Sequence, residues 1–229
     1  MLALYIHVFF MLATSFTEEN YLKTIFHLSA SQTVAVNTNA IADALKTKAA
    51  SVTDMLKKLA EKDFINYIKY QGVTLTPTGN QTALNIIRKH RLWEVFLVDK
   101  LNFKWDEVHD LAEDLEHINS TKLINSLEAF LDFPKFDPHG DPIPDKNGIL
   151  NEPALVPVSK MQINQNGIIS GVREHTSVFL NYLEKAGLVL GKKLVVKEFI
   201  EFDGSVIIEI GGKAQTISRD VAKNLLTAV

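Results

Sequence analysis

Residues 37–76 read NTNAIADALKTKAASVTDMLKKLAEKDFINYIKYQGVTLT. Two short helical patterns stand here, over 38–45 and 49–62, separated only by Lys46-Thr47-Lys48. Asn37 or Asn39 can cap the first, and the second carries Val52, Met55, Leu56 and Leu59 on one face. Two short helices joined by a tight turn are the helix-turn-helix signature. The apolar alternation then changes to a period of two over 64–69 and 73–76, around Tyr70-Gln71-Gly72, which predicts a hairpin. Upstream, Thr17 followed by Glu18, Glu19 and Asn20 predicts a helix start, with a hydroxyl cap and early acids that suit the helix dipole. Tyr21, Leu22, Ile25, Phe26 and Leu28 continue it at helical spacing. Helix, helix-turn-helix, hairpin is the order of a winged helix.

The whole chain has 229 residues, room for one large domain or two modest ones, and its 46% apolar and 22% charged content is that of a globular protein. A net charge of −3 excludes a uniformly basic nucleic-acid coat. The absence of cysteine excludes disulfides, thiolate metal sites and a cysteine nucleophile, and points to an intracellular, cytoplasmic protein. Residues 1–13 are apolar but too few to span a bilayer, and they lack the positive front of a signal peptide. They read as an upstream extension, with Met11 nearer the working start. Six of the seven prolines fall between Pro134 and Pro157, which reads as a connector between a mainly helical part and a strand-rich part.

Charge is distributed unevenly. Residues 46–69 hold six lysines against three acids, whereas residues 99–117 hold seven acids against two lysines. The first stretch suits phosphate contact and the second suits cations.

Within the acidic stretch, a helix expected over 106–118 carries His109, Glu113, Glu116 and His117, whose spacing puts His109, Glu113 and either Glu116 or His117 on one stripe. On the preceding helix His90 and Glu94 are one turn apart and leave the same face. Imidazoles and carboxylates without sulfur suit Mn²⁺, Fe²⁺, Zn²⁺ or Co²⁺. The alternative is an exposed lattice of ion pairs. The zinc-peptidase string, the Gly-x-Ser-x-Gly elbow and the phosphate-cradling glycine loop are all absent, so an enzyme is not expected.

The string Phe16-Thr-Glu-Glu-Asn-Tyr-Leu-Lys-Thr-Ile-Phe-His-Leu resembles the opening of the diphtheria-toxin-repressor family of metal-dependent transcriptional regulators. Leu75-Thr-Pro-Thr-Gly79, Arg88-Lys-His-Arg-Leu92, Val108-His-Asp110, Glu116-His117 and His139-Gly-Asp-Pro-Ile-Pro144 follow in that family's order and separations. The resemblance implies two metal sites. One uses His90, Glu94 and His109. The other joins Asn20 to Glu113, Glu116 and His117. Iron-responsive members typically carry Met at the position of Asn20 and Cys at that of Glu113, whereas manganese-responsive members carry oxygen ligands at both. Manganese-responsive members also carry an acid one turn after the N-terminal ligand, where this chain has Lys23. The oxygen-rich set favours Mn²⁺, then Fe²⁺, with Zn²⁺ or Co²⁺ able to occupy it in vitro.

The second helix of the pair is expected in the DNA major groove. Lys46, Thr47, Lys48, Ser51, Thr53, Asp54, Lys69 and Tyr70 are the expected DNA contacts, with Asp54 or Thr53 the base readers. The strand-rich C-terminal part resembles the SH3-like (FeoA-like) domain of longer members, with Glu174 and His175 as candidate substitutes for its ancillary metal ligands. The expected architecture is mainly α with small β. It comprises an extension (1–15), a winged helix-turn-helix domain (16–78), a helical dimerisation and metal-binding domain (79–145), then a linker and SH3-like β-barrel (146–229). The expected protein is a homodimeric, metal-activated repressor controlling manganese or iron homeostasis genes. It binds two-fold operator DNA and has no membrane or small-molecule partner. A metal-independent winged-helix protein with a structural His/Glu cluster is the alternative.

Overall fold

A computed structural model describes residues 14–29 and 35–229. The expectation concerning Met11 and the N-terminal extension lies outside the described residues. The chain divides into two compact units. The first holds the described residues up to Lys89, with Glu116–Asn119 and Pro144–Leu150; the second holds His90–Leu115, Ser120–Ile143 and Asn151–Val229.

In the first unit, helix α1 spans Phe16–Leu28. Its cap is Ser15 rather than the expected Thr17: the Ser15 hydroxyl accepts from Glu18 N, and the Glu18 carboxylate accepts from Ser15 N, closing a capping box. Helices α2 (Thr38–Ala44) and α3 (Ala49–Glu61) form the helix-turn-helix, and Asn37 caps α2 by accepting from Ala40 N at 2.8 Å. Strands β1 (Ile65–Ile68) and β2 (Gly72–Leu75) pair antiparallel as the wing. Val36 adds a bridge to this hairpin by exchanging two backbone hydrogen bonds with Val73, of 2.8 and 2.9 Å. Gly72 permits this approach, because its φ is +106° and a Cβ would lie 2.7 Å from Val36 O. Leu22, Ile25, Ile41, Val52, Leu56 and Leu59 are fully buried in the core beneath.

The long helix α4 (Pro77–Leu101) starts in the first unit and ends in the second. Its start follows from local chemistry. The Thr76 hydroxyl accepts from Gly79 N and donates to Asp63 O, and Pro77 has no N–H to leave unsatisfied. A Cβ on Gly79 would collide with Phe64 O, so only glycine fits the helix that close to the preceding chain.

In the second unit, Leu92 and Val95 of α4 pack with Ile124 and Leu127 of α6 (Thr121–Phe130). The helix expected over 106–118 is shorter, with α5 covering only His109–Leu115 and Glu116 and His117 in the turn beyond it. The segment after Leu115 is rich in poor helix formers, and Ser120 caps the next helix by accepting from Leu123 N. The proline-rich stretch lacks helix and long strand, as expected, but it is ordered by side chains. The Asp137 carboxylate accepts from the backbone of His139 and of Asp141.

The C-terminal part holds β3 (Val156–Pro157), β4 (Asn166–Val172), α7 (Ser177–Lys185), β5 (Lys193–Phe199), β6 (Val206–Ile210), β7 (Lys213–Ile217), α8 (Arg219–Asn224) and β8 (Leu225–Ala228). The six strands form one sheet in the order β3-β8-β4-β5-β6-β7. It is an open sheet and not the closed barrel expected. One edge, β3, has two residues, and Pro157 lacks the N–H that closure would use. Gly211 and Gly212, both at positive φ, turn β6 into β7 as the sequence predicts.

Candidate metal centre and nucleic-acid interface

The centre in the second unit grows from the helical period. His90 and Glu94 leave α4 one turn apart, and His90 Nε2 lies 3.1 Å from Glu94 Oε1. His109, the first residue of α5, brings Nδ1 to 3.8 Å from the same oxygen. Its ring meets that of His90 edge-on at 5.1 Å, and its Nε2 is 3.7 Å from Glu113 Oε1. His90, Glu94 and His109 each offer one ligand atom within 4.8 Å of the others. Two imidazoles and a carboxylate at that separation fit a first-row divalent ion with positions to spare.

The other Glu94 oxygen faces His139, whose Nδ1 is 3.6 Å away. His139 Nε2–H donates to the Trp105 carbonyl at 2.7 Å, which orients the ring with Nδ1 toward Glu94. Glu94, Asp137 and His139 form a second three-donor group, all buried. His175 stacks on His139 at 4.9 Å, with Nε2 3.7 Å from Asp141 Oδ2. Glu174 instead accepts from Thr176 N at the start of α7.

Electrostatics follow from this crowding. Burial opposes ionisation of Glu94, yet the imidazoles of His109, His139 and His90 hold it well below the usual carboxylate range. Burial also opposes a charged His139, but its contact with Glu94 raises it to about 9. Asp137 is pushed up to about 7 by burial and by the charges of Glu94 and Asp141, against the pull of Arg91 and His139. Negative charge thus concentrates on Glu94, which belongs to both the His90–Glu94–His109 and the Glu94–Asp137–His139 groups.

The residues expected in the other metal site are arranged differently. Asn20, Glu116 and His117 lie in the first unit and Glu113 in the second. Asn20 Oδ1 is buried and has no hydrogen-bond partner among the described residues. Glu116, fully buried, receives Lys23 Nζ on both oxygens, at 2.6 and 2.8 Å. His117 Nδ1 lies 2.6 Å from Glu19 Oε2, and its ring stacks on Phe16 at 4.5 Å. Lysine, not an open carboxylate edge, faces the place where a divalent ion would sit, so this set does not fit one as it stands.

The expected DNA contacts lie on the helix-turn-helix and the wing of the first unit. Lys46, Thr47, Lys48, Ser51, Asp54, Lys69 and Tyr70 are exposed, and Thr53 is half-buried. Lys48 is the α3 N-cap and makes no side-chain cap bond, so the first α3 amides are not claimed by it. The Thr53 hydroxyl is spent on Ala49 O, and Asp54 pairs with Lys57 at 3.2 Å on an exposed surface. Tyr70, at the wing tip, is 93% exposed with Lys69 Nζ 4.9 Å over its ring. A cleft lined by Asn37, Thr53, Tyr67 and Tyr70 runs between the helix pair and the wing.

Known proteins share this arrangement. Models of iron-dependent repressors match residues 13–73 (N-terminal DNA-binding domain) and 76–145 (metal binding and dimerisation domain), and the FeoA domain matches 156–228. The "Diphtheria toxin repressor" of Corynebacterium diphtheriae is 28% identical over 222 residues, covering 91% of this chain and 95% of that protein. A solved "Manganese-dependent transcriptional repressor complex with manganese" superposes with a TM-score of 0.83 at 32% identity, over 92% of this chain and 99% of that one. The chain belongs to the iron-dependent repressor family. A match of another kind is 38% identical over 88 residues to a "Probable metal transport system membrane protein" of Chlamydia trachomatis, covering 38% of this chain and only 19% of that protein.

As a member of that family, the chain is a metal-dependent DNA-binding transcriptional regulator and not an enzyme. Among the described residues no helix is long and apolar enough to cross a membrane. Sequence reasoning omitted Asp137 as a candidate ligand and noted His139 only as part of a turn. The signal was there: Asp137 stands two residues before His139, which opens the His139-to-Pro144 string, in a stretch read as connector.

Proposed function

We propose that the chain is a metal-activated repressor whose divalent ion, Mn²⁺ or next Fe²⁺, is held by His90, Glu94 and His109, with Asp137 and His139 supporting Glu94. The observation that carries this reading is the convergence of three sulfur-free donors within 4.8 Å on α4 and α5. A bound ion supplies positive charge at the shared Glu94 carboxylate. The protein's own residues do the rest: α4 sets His90 and Glu94 one turn apart, and the Trp105 carbonyl orients the His139 ring with Nδ1 toward Glu94.

The functional species is a cytoplasmic homodimer on a two-fold operator. Its two α3 helices enter successive major grooves, roughly 34 Å apart for half-sites one DNA turn apart. Lys46, Thr47, Lys48, Ser51, Lys69 and Tyr70 hold the backbone, and Asp54 or Thr53 reads a base. Metal shifts the population toward the DNA-competent state, and linkage requires operator DNA to raise metal affinity by the same factor.

The test is fluorescence-detected binding of a duplex selected from a random pool, titrated anaerobically with Mn²⁺ and Fe²⁺ after chelation. Tightening of ten-fold or more, about 1.4 kcal/mol, is expected. Binding indifferent to both metals contradicts the reading and leaves a winged-helix protein with a structural His/Glu cluster.

A further inference from the structure

We infer that Lys23 holds the place of a divalent cation beside Glu116, so that α1 is docked without metal and the metal response runs through the His90, Glu94 and His109 centre alone. The inference rests on the metal-centre reading above and locates it. Lys23 stands three residues after Asn20 on α1, and its Nζ sits between both oxygens of Glu116 at 2.6 and 2.8 Å. The Glu116 side chain is fully buried and that of Lys23 is 11% exposed. Beside this pair, Lys89 Nζ is 3.9 Å from Glu19 Oε2, and Glu19 bonds His117. Two buried carboxylates, Glu19 and Glu116, thus face two ammonium groups from the chain itself.

A buried carboxylate requires a compensating cation, and here the cation is covalent and always present. A divalent ion entering between Asn20, Glu116 and His117 would meet the Lys23 ammonium at contact distance. It would gain only a neutral amide from Asn20. Like-charge repulsion at ~3–4 Å in a buried setting is large compared with what one neutral ligand returns. The same contacts explain how α1 is held: Lys23 to Glu116 and Glu19 to His117 are the links that bound metal would otherwise make. Replacing Lys23 removes its ammonium from both Glu116 oxygens, while Asn20 Oδ1, three residues earlier on α1, is a buried oxygen with no hydrogen-bond partner among the described residues.

The test counts bound Mn²⁺ by the paramagnetic resonance signal of the free ion, using the full chain. In the wild type, Glu94→Gln removes tight Mn²⁺ binding, whereas Glu116→Gln leaves the number of equivalents as it was. Lys23→Met adds one equivalent, which the double variant Lys23→Met/Glu116→Gln lacks. Lys23→Glu, which supplies an acid, adds the same equivalent and serves if the Met variant does not fold. Amide hydrogen exchange across residues 16–28 is the same with and without Mn²⁺ in the wild type, and slows ten-fold or more with Mn²⁺ in Lys23→Met. A wild-type equivalent lost on Glu116→Gln overturns the inference, as does a Lys23 variant that folds and gains none. A wild-type chain that binds no Mn²⁺ overturns the metal reading itself.

Discussion

Glu94 shows how one carboxylate acquires a function from its neighbours. It is nearly fully buried, yet three imidazoles, from His90, His109 and His139, keep it charged. Asp137 fixes the loop that presents His139, its carboxylate accepting the His139 backbone N–H at 2.8 Å. Groups that orient a ligand typically change metal affinity 10–100-fold when removed. Asp137→Asn is therefore expected to weaken Mn²⁺ binding by about that factor, read by competition with a fluorescent chelator; an unchanged affinity would remove Asp137 from the centre. At this scale the sequence was half legible. His90 and Glu94 could be paired from helical period alone, since four residues bring side chains to one face. Lys23 and Glu116 could not, because they lie 93 positions apart and no local rule joins them. Ser15 and Thr17 are both good caps by residue type, and only the reciprocal Glu18 bond distinguishes them.

Among the elements, α3 carries two separate duties. Its inner face buries Val52, Leu56 and Leu59 completely, and the apolar spacing that predicted the helix is the same spacing that packs it. Leu56→Ala is expected to destabilise the first unit by roughly 2–5 kcal/mol, read by urea unfolding. Its outer face is soluble polar surface. The exposed Asp54–Lys57 pair contributes at most about 1 kcal/mol, so Asp54→Ala should leave stability within about 0.5 kcal/mol while changing which operator bases are preferred. Unchanged selection from a random duplex pool would show that Asp54 reads no base. Lys48→Ala should instead weaken binding to all sequences and reduce the salt slope by about 0.9, the signature of one lost phosphate contact. The α4 start is equally specific. Gly79→Ala is expected to cost about 1–3 kcal/mol, since its Cβ must displace the backbone at Phe64. Hairpin and helix pair were readable from periodicity, but the Val36 bridge was not, being a single residue without a pattern. The open edge of the C-terminal sheet was missed for a similar reason: alternation predicts strands, whereas closure depends on the length and pairing capacity of the terminal ones.

For the whole molecule, the account is one of coupling. The chain has its own cations at α1, in Lys23 and Lys89, and a sulfur-free imidazole and carboxylate centre where α4 meets α5 in the second unit. On the proposed reading, metal responsiveness belongs to the second of these. Family membership was legible because its motifs are short, ordered strings, and strings survive in sequence where three-dimensional contacts do not. The measurement that bears most directly on this is operator affinity of the wild type and Glu94→Gln, side by side, with chelator and with saturating Mn²⁺. The account predicts equal affinities for the two without metal, and Mn²⁺ tightening of ten-fold or more in the wild type only. Full tightening in Glu94→Gln would contradict it.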